Sequence, residues 1–210
     1  MSATLTDYAI VLSREAWREA DKRVVFFTQH HGKIDGIAIG AHKIRSKLAG
    51  HLEPLRIAQV MLAKGKQGYK IAQCVTQHNF IRTDAVLERT KMMGALVRLA
   101  RRATENEHKD EDLYSLLSGG LGNLESAAAQ ELPRVYGNCL LDLAHHFGYA
   151  PMLGQCVVCG DEQNLLRFSP HLGGVICAKE VVLEKTMPYK ADDALLHTYV
   201  GALLTWRGLF

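Results

Sequence analysis

Hydrophobic and polar positions alternate with a period of two through the first eighty residues and at helical spacing afterwards. Tyr8–Ser13 reads as a first short strand, and Arg23–Thr28 (RVVFFT) as a second. Gln29-His30-His31-Gly32 turns the chain into a third strand over residues 33–40. In that strand Ile37 and Ile39 point one way, while Gly36, Ala38 and Gly40 are small enough for close backbone approach. Leu55, Ile57 and Met61 share one face of the next run, with Val60 and Leu62 on the other. After the turn Gly65-Lys66-Gln67-Gly68, the segment Tyr69–Thr76 alternates through Tyr69, Ile71, Gln73 and Val75. Five short strands joined by glycine-containing turns predict a small closed barrel over residues 1–80. The OB-fold has that strand count, and an SH3-like barrel is its competitor.

From Arg82 the period changes. Asp84 is a candidate N-cap for a helix carrying Val86, Leu87, Met93, Leu96, Val97 and Ala100 up to Arg102. The polar stretch Thr104–Asp112 reads as a loop. Leu113, Leu116, Leu117, Leu121 and Leu124 then mark a helix that Gly119-Gly120 should weaken or break. A longer helix follows Pro133, with Val135, Tyr136, Cys139, Leu140, Leu143 and Phe147 on one stripe and Gly148 as its C-cap. Over Asp192–Phe210, Leu195, Leu196, Tyr199, Val200, Leu203 and Leu204 share a helical face. The expected fold class is therefore α+β: an OB-fold barrel over residues 1–80, then a helical domain over 81–210 with a cysteine-bearing, zinc-ribbon-like segment at about 153–182.

Composition narrows the class. With 48% hydrophobic and 22% charged residues the chain reads as globular, no apolar run reaches bilayer length, and the N-terminus lacks the pattern of a signal peptide. Five cysteines, an odd number, argue against a secreted disulfide framework. The expected location is the cytoplasm. Net charge is +3, but residues 1–80 hold twelve Lys/Arg against six Asp/Glu, whereas the remainder holds thirteen against sixteen. A basic front half fits contact with nucleic acid at that end.

The cations concentrate in Gly32–Pro54, where His42, Lys43, Arg45, Lys47 and His51 fall within ten residues without an acid among them. Lys33, Lys43, Arg45, Lys47, Arg56, Lys64 and Lys66 are the candidate DNA-binding residues, acting by phosphate neutralisation. Aromatics are sparse in this loop, so stacking should contribute little there; Tyr69 and Phe27 read as core or barrel rim. Further on, Cys156-Val157-Val158-Cys159-Gly160 has the form of a zinc knuckle, and Cys177 follows after seventeen residues. Position 180, where a second Cys-x2-Cys would close, holds Glu180. Cys156, Cys159 and Cys177 are the candidate metal ligands, with Glu180 or His171 as the fourth; a ribbon without metal, held by packing, is the alternative. Cys74 and Cys139 read as core.

Together, YAIVLSREAWREADKRVVFFTQHHGKI, GAHKIRSKLAGHLEPL, LLDLAHHFGYAP, CVVCG and FSPHLGGVIC run nearly end to end. In this order they resemble the RecO family of bacterial DNA repair proteins, which are recombination mediators. The resemblance implies an N-terminal OB-fold, a helical domain and a zinc-binding segment among the helices, in a nucleoid-associated protein that is not an enzyme. It also implies binding of single- and double-stranded DNA, annealing of complementary strands, and cooperation with RecR in loading RecA onto DNA coated by single-stranded-DNA-binding protein. Many members carry a complete second Cys-x2-Cys pair, which Glu180 interrupts here.

Two other classes can be weighed. His51-Leu52-Glu53 with Cys156-x2-Cys159 superficially matches a zinc deaminase, but that signature needs Pro directly before the first Cys, and Pro151 lies five residues upstream. An RNA-binding OB-fold adaptor protein is the second alternative, and it would prefer RNA in direct competition.

Overall fold

The computed structural model describes residues 4–43, 45–65, 68–81, 87–180, 186–190 and 196–206. Five strands, β1 (Thr4–Ala16), β2 (Lys22–Thr28), β3 (Gly32–Ala38), β4 (Arg56–Gly65) and β5 (Gly68–Asn79), close into a barrel in the order β1-β2-β3-β5-β4. All neighbours are antiparallel except β3 and β5, which run parallel with Gly36 opposite Tyr69 and Ile37 opposite Lys70. That crossover closure is the OB arrangement, a Greek-key barrel.

The interior is filled by Ala9, Val11, Val24, Phe26, Ile34, Val60, Leu62 and their neighbours, one residue in two along each strand. β3 obeys the expected pattern: Ile34, Gly36 and Ala38 face in, and Ile39 is 57% exposed. β5 departs from it. Ile71 and Cys74 are buried, but Gln73 and Val75 face out. The register against β4 slips between Met61–Gln73 and Leu62–Ile71, so Ala72 is an extra residue and the inward set changes parity after it. The long β3–β4 connection folds back under the barrel through a short turn at Ala49–His51, and Leu52 is fully buried in the barrel core. His51 pins it: Nδ1 accepts the Thr76 N–H at 3.2 Å and lies 2.9 Å from Thr76 Oγ1.

Ile10, Leu12, Val25 and Phe27 point out of the barrel yet are buried, because both faces of β1 and β2 are covered. Helix α1 (Leu87–Ala103) packs on β1, burying Met93, Leu96, Val97, Leu99 and Ala100. Of its expected apolar stripe, Leu87 is 66% exposed, and Asp84 and Val86 lie outside the described residues. Helix α2 (Glu111–Ser126) is capped by Asp110, whose Oδ1 accepts the Leu113 N–H at 2.9 Å. It continues through Gly119-Gly120, contrary to the expected break. Burial of Leu113, Tyr114, Leu117, Leu121 and Leu124 outweighs a cost of about 1 kcal/mol per glycine.

The chain divides into two compact units between Glu125 and Ser126, so α1 and α2 group with the barrel. In the second unit, α3 (Leu132–His146) starts with Pro in its first turn and ends in a Schellman motif. There Gly148, at φ +74°, donates to His145 O at 3.0 Å, and Tyr149 N–H reaches Ala144 O at 2.7 Å. A three-stranded ribbon follows, β6 (Leu165–Ser169), β7 (Gly174–Cys177) and β8 (Met187–Pro188), in the order β7-β6-β8. Helix α4 (Leu196–Trp206) packs against α3, with Tyr199 and Val200 buried. Asp192 and Leu195 lie outside the described residues. No helix among the described residues is long and apolar enough to cross a membrane.

One buried carboxylate holds the β2–β3 turn. Asp7, 4% exposed, accepts from Tyr8 N–H and the His30 ring through Oδ1 at 2.8 Å each, and from His30 N–H and the His31 ring through Oδ2 at 2.9 Å each. Burial alone would raise its pKa, but these donors outweigh it and hold the carboxyl below the ordinary aspartate range. Burial, together with Asp7 and Tyr8, pushes the neighbouring Tyr114 phenol up to about 12.

Three substitutions test this account by urea denaturation. Gly32 sits at φ +71°, and a Cβ there would lie 1.9 Å from His108 O, so Gly32→Ala should destabilise by about 3 kcal/mol or more. Gly119 has nothing within 4 Å of a Cβ, so Gly119→Ala should stabilise by about 0.5–1 kcal/mol. Asp7→Asn should cost about 1–3 kcal/mol at neutral pH. Because the folded carboxyl is more acidic than the unfolded one, its contribution is present above the unfolded pKa near 3.8 and is lost as pH falls through the folded value. Stability of the parent should therefore fall in that acid window more steeply than stability of Asp7→Asn.

Candidate nucleic-acid interface and cysteine cluster

A groove of about 740 Å³ runs over the outer face of β2 and β3. Its floor is Ile37 and Ile39. The β1–β2 loop contributes Trp17, Arg18 and Asp21, and the β4–β5 turn contributes Gly65, Gly68, Tyr69 and Lys70. The volume is within the range of ligand-binding clefts. Strands 2 and 3 with these two loops are the surface on which OB-folds hold oligonucleotides.

Its two aromatics carry cations. The Arg23 guanidinium lies 5.7 Å from the centre of the Trp17 ring, and the Lys64 ammonium 5.2 Å from that of Tyr69. Trp17 is 49% exposed, an apolar ring left open to solvent. Arg23 is fixed by Asp35 at 2.8 Å and Glu15 at 3.5 Å, and the Asp35 hydrogen bond raises its pKa further, so it is cationic at any working pH. Asp35 is thereby matched by a cation, and Asp21 accepts the Gly40 N–H at 2.8 Å. Arg18 and Lys70 supply the remaining positive charge of the lining.

The seven cations singled out in the sequence do not share one surface. Lys43 adjoins the groove's β1–β2 loop, because His42 N–H donates to Ala20 O at 2.9 Å and Lys43 N–H to Gly40 O at 3.0 Å. Arg45 and Lys47 are exposed farther along the same connection. Lys64 is on the groove's rim, where it also pairs with Glu107 at 3.1 Å. Lys33 is engaged elsewhere: its ammonium donates to Arg101 O at 2.9 Å and to Thr104 O, closing the carboxyl end of α1, and burial lowers its pKa. Arg56 begins β4 opposite Asn79, about 26 Å of strand from Lys64, with its Nε buried and without a hydrogen-bond partner among the described residues. Lys66 lies outside the described residues. Sequence reading missed Trp17, Arg18, Arg23 and Lys70; the available signal was an aromatic flanked by arginine in the first interstrand loop. Phe27 is fully buried, and Tyr69 is half-buried against the barrel core where it lines the groove, so both are core or rim as expected.

In the second unit the three cysteines of the ribbon converge. The sulfurs of Cys156, Cys159 and Cys177 all lie within 4.8 Å of one another, and Cys159 and Cys177 are 3.6 Å apart. Gly160, at φ +76°, turns the knuckle, and its N–H donates to Cys156 O at 2.9 Å. Burial disfavours the Cys156 thiolate, but N–H groups of Cys159, Cys177 and Val158 outweigh it and bring the thiol down to about 7. The donor set is soft and compact, which fits a metal ion such as zinc. Glu180 and His171 are not part of the cluster. Cys74 and Cys139 are core residues, their thiols pushed up by burial to about 12 and about 11.

Comparison with known proteins identifies the family. Family models described as Recombination protein O N terminal and Recombination protein O C terminal match residues 1–80 and 85–195. The chain is 29% identical over 169 residues to the DNA repair protein RecO of Caldanaerobacter subterraneus, covering 80% of this chain and 68% of that protein. It is 35% identical over 172 residues to the RecO of a Roseiflexus species, covering 80% and 59%. A third match, the RecO of Desulforudis audaxviator, is 29% identical over 199 residues and spans 94% and 78%. These names describe DNA repair and carry no enzymatic activity. With an OB barrel at its front, a cysteine ribbon between its last two helices and both family models matched in order, the chain belongs to the Recombination protein O family of DNA repair proteins.

Proposed function

We propose that this chain is a recombination mediator that binds single- and double-stranded DNA and anneals complementary strands. With RecR, it helps load RecA onto DNA coated by single-stranded-DNA-binding protein. The observation that carries the DNA-binding part is the groove, in which Trp17 stands open and Tyr69, half-buried against the barrel core, lines the wall with Ile37 and Ile39, and Arg18 and Lys70 supply cations. Aromatic faces stack on any base, and the cations neutralise phosphates without reading sequence, as annealing requires. Lys43, Arg45 and Lys47 extend the positive surface past the groove, where they can lower repulsion from a second strand. The role is mechanical: charge neutralisation and stacking move no bonds. Cys156, Cys159 and Cys177 hold Zn2+ in this reading, and the metal stiffens the ribbon.

The first test is annealing of complementary oligonucleotides coated with single-stranded-DNA-binding protein, measured across a salt series. Acceleration that fades as salt rises is expected; no acceleration, with RNA outcompeting DNA for the protein, would overturn the mediator reading. Trp17→Ala should weaken single-strand binding about 5- to 150-fold, the loss of one stacked base, with the salt slope kept. Charge reversal of Lys43, Arg45 and Lys47 together should instead reduce the salt slope by about 2.

A further inference from the structure

Arg23 stands in a cross-strand row on the outer face of the barrel. The register sets it opposite Glu15 of β1 and Ile37 of β3, with Asp35 on the diagonal. Its guanidinium donates to the Asp35 carboxylate at 2.8 Å and lies 3.5 Å from that of Glu15. Two carboxylates thus face one cation, and the row is negative by one charge. A phosphate arriving there meets repulsion rather than an unspent cation. What the anchored guanidinium also touches is the Trp17 ring, 5.7 Å from its centre. The Trp17 backbone is fixed where β1 ends, its N–H donating to Asp21 O at 3.1 Å. Its side chain still turns about two bonds, and among the described residues Arg23 is the partner of its ring. The ring is half-exposed and lines the groove, so a cation over one face leaves the other for a ligand. Asp35 and Glu15 fix the guanidinium, and the guanidinium fixes the indole. A platform set in advance loses less freedom when a ligand stacks on it.

Resting on the groove reading above, we propose that Arg23 is a positioning residue for single-strand binding. It braces the Trp17 indole on one side so that the other side stacks on an unpaired base, and it does not itself neutralise a phosphate. The ligand at this end of the groove is a nucleobase with its face free, which a single strand offers and a duplex keeps stacked.

The experiment combines Arg23→Gln with Asp35→Asn in the full chain, which removes one charge of each sign and leaves the net charge as it was. Binding of a labelled oligothymidylate is followed by anisotropy across a salt series. Affinity should fall about 2- to 5-fold, the loss of one cation–π contact, with the salt slope unchanged. Duplex affinity should match the parent, and in a Trp17→Ala background the same pair of substitutions should change nothing further. A slope smaller by about 0.7, the signature of one lost phosphate contact, or an equal loss without Trp17, would overturn the brace. If Trp17→Ala alone leaves single-strand affinity unchanged, the groove reading falls and the brace with it. If Trp17→Ala weakens binding and the double variant does not, only the brace falls. Trp206→Phe leaves Trp17 as the one indole of the chain. In that background acrylamide should quench Trp17 more readily in the double variant, before DNA is added; equal quenching would also overturn the brace. Should circular dichroism show the double variant misfolded, Arg23→Lys serves instead. Its ammonium keeps the charge without the planar fork that spans carboxylate and ring, so a phosphate role gives parent affinity and a brace gives the loss.

Discussion

The parallel pairing of β3 with β5 is the constraint on which the first unit depends. It is short, Gly36 with Tyr69 and Ile37 with Lys70, yet it converts an open sheet with two unpaired edges into a barrel with none. Gly36 permits it: a Cβ at that position would lie 2.9 Å from Ile71 Cγ1 and 3.6 Å from Phe26 Cε2. The same seam pairs Tyr69 with Gly36 and Lys70 with Ile37, which brings the start of β5 up to the groove. Closure of the barrel and construction of the groove are thus one event, and anything that loosens the seam loosens both.

Charge in this molecule is sorted by where the backbone carries it. Lys33 and Lys64 look alike in the sequence, each a cation in a β-rich segment. Lys33 sits where β3 passes the end of α1, and its ammonium is taken up by the carbonyls of Arg101 and Thr104. Lys64 reaches the last turn of the barrel and lies over Tyr69. Arg56 stands at the other end of the strand that carries Lys64. A count of basic residues finds the basic half of the chain, but the strand register decides which of those cations share a surface.

This explains what could be read in advance. Strand number, the helical stripes and the cysteine knuckle are local patterns, and each is visible in a window of a few residues. The parity change after Ala72 in β5 depends on pairing with β4, and survival of α2 through Gly119-Gly120 depends on what its leucines bury; neither is local. The groove is less local still. Trp17 follows β1 and Tyr69 stands at the start of β5, some fifty residues apart in sequence, so no local window contains the groove's aromatics together. Asp7 was missed for a related reason: an acid near the start of a strand reads as solvated until His30 and His31 are folded onto it.

The ribbon in the second unit is held by packing as well as by its cysteine cluster. Cys156, Ile176 and Cys177 are buried together against Val157 and Leu165, so two of the three clustered cysteines are also core residues. A second cluster, Phe168, Val175 and Tyr199 with Leu153, Met187 and Tyr189 around it, joins the ribbon to α4. The Tyr199 hydroxyl fastens the chain after β8 by accepting the Lys190 N–H at 2.8 Å. Gly174 lets the backbone of Met152 pass so close that a Cβ would lie 2.4 Å from its carbonyl oxygen, which docks the knuckle's approach onto β7. A ribbon stabilised by packing on two sides does not need the full binding energy of a closed four-ligand site to stay folded.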